Sequence, residues 1–338
     1  MREPAFWYRP RSAKSHLLQP LGTLYGAIAA RRMARKGFDA GIPVICVGNY
    51  HVGGAGKTPT VLALTNVLRE LGETPVVLSR GYGGRLKGPV MVDRERHTAA
   101  DVGDEPLMMV RDVPVAVARD RLDGVALAKS KGATVILMDD GFQNPRLMKD
   151  VSLVVIDSER GLGNGKVFPA GPLRAPLKGQ LARTDALVLI GDGHAAEGVA
   201  AEIAARERPV LRARLKPDAA SIARLFGKQV LAFAGIGDPE RFFRTLRASG
   251  IDVARTRPFA DHHMFSQAEI AALVADARRE QLTLVTTEKD FSRLRGSEGV
   301  PDGIVPFAVK LEFGDAAALP RLISDHLYKA RERRFSAR

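Results

Sequence analysis

The chain reads as an α/β protein: a parallel sheet covered by helices on both faces, followed by a second, smaller α/β unit. Three observations carry this reading. Short apolar runs alternate with amphipathic helical patterns along most of the length. Such runs are apolar almost throughout, as expected of strands buried on both faces, with helical crossovers between them. One strand leads into a glycine-rich turn and then a helix, in Val47-Gly48-Asn49-Tyr50-His51-Val52-Gly53-Gly54-Ala55-Gly56-Lys57-Thr58-Pro59. That is the context of a phosphate-binding P-loop, so the sheet is expected to be P-loop NTPase-like.

The elements follow in order. Residues 42–47 form the first expected strand and 60–71 the helix after the loop. Strands are expected at 75–78, 113–118, 134–138, 151–156 and 186–190, with a helix at 122–130 between the second and third of these. A second unit begins beyond residue 215, with a strand at 230–234 and a helix at 240–248 that Gly250 closes. Residues 266–279 form a helix whose Ser266 and Glu269 make a capping box, and 282–286 is the next strand. The expected organisation is an N-terminal membrane-associating segment at 1–38, a P-loop domain at 39–212 and a linker at 213–226. A second α/β domain closing over the site at 227–328 and a basic, solvated tail at 329–338 complete it.

Composition narrows the class of function. The formal net charge is +13, which favours anionic partners such as phosphates, nucleic acid or acidic lipid headgroups. The single cysteine, Cys46, lies inside the first strand, so no disulfide can form within the chain. Arg9, Arg11 and Lys14 precede an apolar stretch at 17–30, and Arg31, Arg32, Arg35 and Lys36 follow it. The stretch is too short to span a bilayer and reads either as an interfacial helix or as a core helix with a basic face. Phe6, Trp7 and Tyr8 are candidates for the lipid interface. A secretory signal is disfavoured, because the loop that follows needs cytosolic nucleotide.

The loop carries specific chemistry. Gly53, Gly54, Ala55 and Gly56 let backbone N–H groups converge on phosphate oxygens, and the helix beginning near Lys57, Thr58 and Pro59 adds its positive end. Lys57 would reach the β- and γ-phosphates of ATP, and the Thr58 hydroxyl would sit on Mg²⁺. The usual first glycine is missing, since position 51 is His. The strand at 134–138 runs into Asp139-Asp140-Gly141-Phe142-Gln143, and an acidic residue at that strand end is where Mg²⁺ is held. Asp104 alone reads as a helix cap. With His262, from Asp261-His262-His263, it becomes a pair able to take a proton from a hydroxyl, provided the two units face each other. Arg119, Arg121 and Arg174 are candidates for phosphate recognition, and Tyr82 for stacking in a cleft.

Taken in order, Val47-Gly48-Asn49, Gly53 to Pro59, Ser79-Arg80-Gly81-Tyr82, Gly103-Asp104-Glu105-Pro106, Asp139 to Gln143, Pro169-Ala170-Gly171-Pro172-Leu173-Arg174, Asp261-His262-His263 and Thr286-Thr287-Glu288-Lys289-Asp290 resemble one family, the tetraacyldisaccharide 4′-kinases of lipid A biosynthesis. The altered first position of the P-loop is part of that resemblance. It implies a two-domain ATP- and Mg²⁺-dependent kinase on the cytoplasmic face of a Gram-negative inner membrane, acting on the 4′-hydroxyl of a lipid A disaccharide precursor. No nucleic acid and no obligate protein partner are implied. The matching positions give Lys57, Asp139, Asp140, Asp104 and His262 catalytic roles, and Thr58 and Asp139 the metal. Asn49, Tyr82, Arg121, Gln143 and Arg174 are implied near the substrates. Asn144 and Ala175 depart from the pattern, where many members have His and Glu.

Two other classes compete. A GTPase would need an Asn-Lys-x-Asp stretch, which the chain lacks; a partition-type P-loop ATPase at the membrane surface would not. A nucleic-acid-binding ATPase would interleave basic residues with stacking aromatics, whereas here aromatics are only 6% and the basic residues cluster at the ends.

Overall fold

In the computed structural model, residues 3–9, 12–294 and 303–336 are described. Nine strands form one sheet in the order β13-β8-β7-β6-β1-β5-β2-β4-β3. They are β1 (Val44–Gly48), β2 (Pro75–Ser79), β3 (Val90–Met91), β4 (Val115–Val117), β5 (Val135–Asp139), β6 (Val151–Asp157), β7 (Ala186–Ile190), β8 (Val210–Pro217) and β13 (Val309–Phe313). The seven inner strands are parallel, and only the edges β3 and β13 are antiparallel. β1, β2, β5, β6 and β7 are buried along their whole length, which is why their sequences carry no polar alternation.

Side chains still alternate between two cores. Ile45 and Val47 face a core under helices Lys57–Glu70 and Ala318–Ser336. Val44 and Cys46 face the other, under helices Arg121–Ser130 and Glu197–Ala204. β1 sits between β5 and β6, with later strands on one side and earlier ones on the other. The crevice for a ligand therefore opens beyond the C-terminal ends of these central strands.

A second, four-stranded parallel sheet has the order β10-β9-β11-β12, from β9 (Gln229–Ala234), β10 (Asp252–Pro258), β11 (Thr283–Thr287) and β12 (Ile304–Phe307). Its helix Glu288–Leu294 packs against helix Asp104–Met109 of the first unit.

Three expectations are corrected here. The segment 213–226 is not a linker: it holds the end of β8 and helix Ala219–Leu225. The chain then returns to the large sheet for β13 and helix Ala318–Ser336, so the second unit does not run unbroken to residue 328. The segment 329–336 is the end of a helix, largely exposed, rather than an irregular tail, and residues 337–338 lie outside the described part. Arg331 bonds Glu73 at 2.7 Å, and Arg334 reaches Asp39 and the buried Asp150 at 2.9 Å each. Asp150 also accepts the Val44 N–H at 2.7 Å, so one carboxylate ties this helix to the start of β1. Asp150→Ala strands that N–H and the guanidinium, and should lower stability by about 2 kcal/mol in urea unfolding.

The N-terminus also differs in part. Trp7 is buried and donates to the Pro169 carbonyl at 3.0 Å, and the Tyr8 hydroxyl bonds Glu3 at 2.5 Å. The Trp7 side chain therefore belongs to the protein core, not to a lipid interface, while Tyr8 stays half-buried. Helix Gln19–Met33 rests on the protein through Gly22 and Gly26, where a Cβ would press on Val167 and Pro176. Its other side exposes Leu21, Leu24 and Ile28. Among the described residues no helix is long and apolar enough to cross a membrane.

Candidate active site

The P-loop starts where β1 ends. Gly48 lies so close to Phe142 that a Cβ would come within 2.4 Å of the Phe142 Cβ, so glycine lets the segment after β5 fold over the loop. Asn49 is buried and its amide donates to the Gly53 carbonyl at 3.0 Å, bracing the turn. Gly53 and Gly56 have φ of 107° and 86°, the region that favours glycine. Gly56 is the N-cap of helix Lys57–Glu70. Pro59 falls in the first turn, where its missing N–H removes no helical bond. His51, in the place of the usual first glycine, pairs in an isolated bridge with Leu173, which ties the loop to the segment before Arg174. Its ring is buried, and burial pushes its pKa down, so it is neutral.

The β5 strand delivers two carboxylates beside the loop, through the register Val47 to Asp139. Asp140 has φ of 49° and its N–H bonds the Val47 carbonyl at 3.0 Å. Arg174 grips it with two bonds of 2.7 and 3.0 Å, and the Lys57 ammonium lies 3.7 Å away. Burial works to raise the Asp140 pKa, but Lys57 and Arg174 outweigh it and bring it to about 2. Asp139 is buried with an Oδ1 that has no partner. Burial, then the charges of Glu105 and Asp140, push its pKa up to about 7. The pKa values of two adjacent carboxylates are thus pushed in opposite directions.

Arg121 is fully buried at the start of its helix, with one nitrogen on the Ala118 carbonyl at 2.8 Å and its Nε unpartnered. Gln143 donates to the Asn49 carbonyl at 2.7 Å and to Gln180 at 2.9 Å, so its amide holds the loop's backbone. Asn49 likewise lies under the loop, not on the open cleft. Thr58 is half-buried on the first turn. Tyr82 is exposed and its ring stands edge-on to His262, centroids 6.0 Å apart.

Asp104 and His262, from the two units, meet at 3.1 Å between Oδ2 and Nδ1. Gly103 positions Asp104: with φ of 92° and the Tyr82 carbonyl 2.5 Å from where a Cβ would be, it locks two loops together. Sequence reasoning missed the third member, Arg293. It is buried, donates twice to Asp104 Oδ2 at 3.0 and 2.8 Å, and bonds the Gly235 carbonyl and Asp290. Lys289 lies 3.8 Å from the same oxygen and 3.0 Å from Glu105. Burial alone would raise the Asp104 pKa, but His262, Lys289 and Arg293 together hold it far below the ordinary carboxylate range. Arg293 follows Lys289 by one helical turn, the one signal in the chain that could have pointed to it.

A glycine-rich loop on a central parallel strand, a lysine at the helix start and carboxylates on the neighbouring strand define a P-loop phosphotransferase class of α/β protein. Residues 14–328 match the family model for tetraacyldisaccharide-1-P 4′-kinase. The chain is 84% identical to a tetraacyldisaccharide 4′-kinase of Bradyrhizobium diazoefficiens over the full length of both, and 66% identical to one of Nitrobacter winogradskyi over 98% of this chain and 99% of that one. It also resembles the crystal structure of LpxK from Aquifex aeolicus in complex with ATP, at 28% identity and a TM-score of 0.72, covering 93% of this chain and 99% of that one. The chain belongs to the tetraacyldisaccharide 4′-kinase family.

Proposed function

We propose that this protein transfers the γ-phosphoryl group of ATP to the 4′-hydroxyl of a tetraacyldisaccharide 1-phosphate at the inner-membrane surface, with Asp104 and His262 taking the hydroxyl proton. The family membership supports the reaction, and the 3.1 Å contact between His262 and Asp104, whose helix packs against the helix after the P-loop, carries the mechanism. The P-loop N–H groups and Lys57 hold the phosphates. Arg174 and Lys57 fix Asp140, and Arg293 keeps Asp104 ionised. An ionised Asp104 orients His262 with Nδ1–H toward it, which leaves Nε2 to accept the proton. Arg121 adds a buried positive charge near Asp139.

Asp139 and Thr58 are suited to Mg²⁺. The buried Oδ1 of Asp139 lacks a partner, and a hard cation takes oxygen donors. Among the described residues no group of three or more His, Cys, Asp or Glu side chains is placed to hold a metal. That agrees with Mg²⁺, which commonly uses one or two protein oxygens and completes its shell with phosphate and water. When bound, it would neutralise charge on the phosphates.

The test of the reaction is transfer from labelled ATP to detergent-dispersed tetraacyldisaccharide 1-phosphate. Label in a bis-phosphorylated lipid is the expected result. ATP turnover by folded protein without lipid product overturns the reading.

The membrane association rests on the exposed Leu17, Leu21, Leu24 and Ile28, followed by Arg31, Arg32, Arg35 and Lys36. Replacing Leu21, Leu24 and Ile28 together with serine should weaken binding to anionic vesicles at least about tenfold. Unchanged co-sedimentation would show that this face does not meet lipid.

A further inference from the structure

A cavity of about 290 Å³ reaches under the P-loop, and its basic residues have no role so far. One wall is the end of the N-terminal helix and the turn after it, with Arg35. Another is the loop that descends from β5 to β6, with Lys149. Arg183 closes a third side. The cavity thus gathers three cations. Its one carboxylate, Asp185, is already engaged, accepting from the Ser152 N–H at 2.8 Å and from Arg208 at 3.3 Å.

Lys149 is half-buried, and its ammonium bonds only the Asn144 carbonyl, at 2.5 Å, among the contacts described. Burial pushes its pKa down, and the Arg183 charge adds to that. An anion placed between them would relieve both effects. Arginine and lysine together offer phosphate a planar fork and a point charge. The space would hold many waters at roughly 30 Å³ each, so a phosphate group fits without rearrangement.

Two contacts place the cavity. Gln143 lines it and also holds the Asn49 carbonyl, so one end of the cavity reaches under the P-loop, while Lys149, Arg183 and Asp185 lie toward the starts of β6 and β7. Met33 and Arg35 continue the helix whose leucines are exposed, so one wall of the cavity is continuous with the proposed lipid-facing helix. A soluble anion would need neither neighbour.

We propose that Lys149, Arg183 and Arg35 form a binding site for a lipid-borne phosphate group. Two sources share that chemistry: the reducing-end phosphate of the acceptor, and the headgroup of an anionic phospholipid. The first rests on the kinase reading given above; the second does not.

The experiment compares wild type with Lys149→Gln/Arg183→Gln, on acceptors with and without the reducing-end phosphate, in nonionic micelles. If the acceptor is the source, the preference for the phosphorylated acceptor, as a ratio of kcat/KM values, falls about tenfold in the variant. Lys149→Arg, which keeps the charge, restores most of it. If a phospholipid is the source, that ratio holds, but the variant loses binding to phosphatidate-containing vesicles and keeps binding to vesicles of phosphatidylcholine. Arg183→Gln and Arg35→Gln, single changes at exposed side chains, guard against misfolding and should move the same readout partway. An unchanged ratio together with unchanged vesicle binding overturns the site, as does an equal loss on both acceptors in nonionic micelles. Wild type that labels neither acceptor overturns the kinase reading instead, while the vesicle comparison still decides the site.

Discussion

Asp104→Asn is expected to lower kcat for the lipid acceptor by about 10²- to 10³-fold, within the range for losing general acid–base help, while the KM for ATP changes little. Asparagine keeps the size of the side chain but removes the charge that faces His262, Arg293 and Lys289. The imidazole then loses the partner that fixes its tautomer, and Arg293 is left with Asp290 as its acidic partner. The informative comparison is the double variant with His262→Ala. If the two residues act as a unit, the double loss is hardly worse than either single loss. Losses that multiply would show two independent roles and sink the pair. The protein should be checked for folding by circular dichroism, because Asp104 also joins the two units.

That joining has a pH signature with a definite sign. The folded Asp104 pKa is depressed by His262, Lys289 and Arg293 against the opposing effect of burial. A depressed carboxylate contributes stability that is fully present above the unfolded value of about 3.9, and that is lost as pH falls below it toward the folded value. Unfolding curves of wild type and Asp104→Asn should therefore differ most at neutral pH and converge in acid.

The sequence made the interior of the large sheet legible, because buried parallel strands are continuous apolar runs and each is short. β8 and β13 were not recognised, although Leu211, Ala213 and Leu215 alternate with Arg212, Arg214 and Lys216 in a half-exposed pattern. Their pairing across nearly a hundred residues is a choice of partner that local pattern does not encode. The basic segment before residue 336 misled for a related reason. Charge reads as solvation until the acids that meet it, Glu73, Asp39 and Asp150, are brought in from far along the chain.

The candidate site divides the same way. The P-loop and the Asp139–Asp140 strand end are local strand–loop–helix arrangements, so spacing alone suggested them. Asp104 and His262 are 158 positions apart, so the sequence offered their pairing only on the condition that the two units face each other, and family resemblance supplied the rest. Arg293 was overlooked: its spacing from Lys289 is a faint signal, an arginine in a helix reads as exposed, and only the fold shows it buried between Asp104 and Asp290.

Lys57→Ala should produce the other large loss, about 10²- to 10³-fold in kcat/KM, the range for removing one preorganised charge-stabilising group. Lys57 opens the helix after Gly56 and lies 3.7 Å from Asp140, so its ammonium stands between the P-loop and the β5 carboxylates. Its removal takes positive charge from the phosphates and from Asp140 together. Arg174 remains bonded to Asp140 through both nitrogens, so that carboxylate should stay ionised and in place. The loss then reports the phosphates rather than a collapse of the acidic pair. Lys57→Arg should not rescue fully, because a planar fork cannot occupy the space of a compact ammonium that is only 10% exposed. Arg174→Ala makes the contrast, since it leaves Lys57 with the phosphates and frees only Asp140. A Lys57→Ala protein that keeps more than a tenth of wild-type activity would mean that the transferred phosphoryl group does not sit on this loop, and the roles given to Asp104 and His262 would lose their reacting partner.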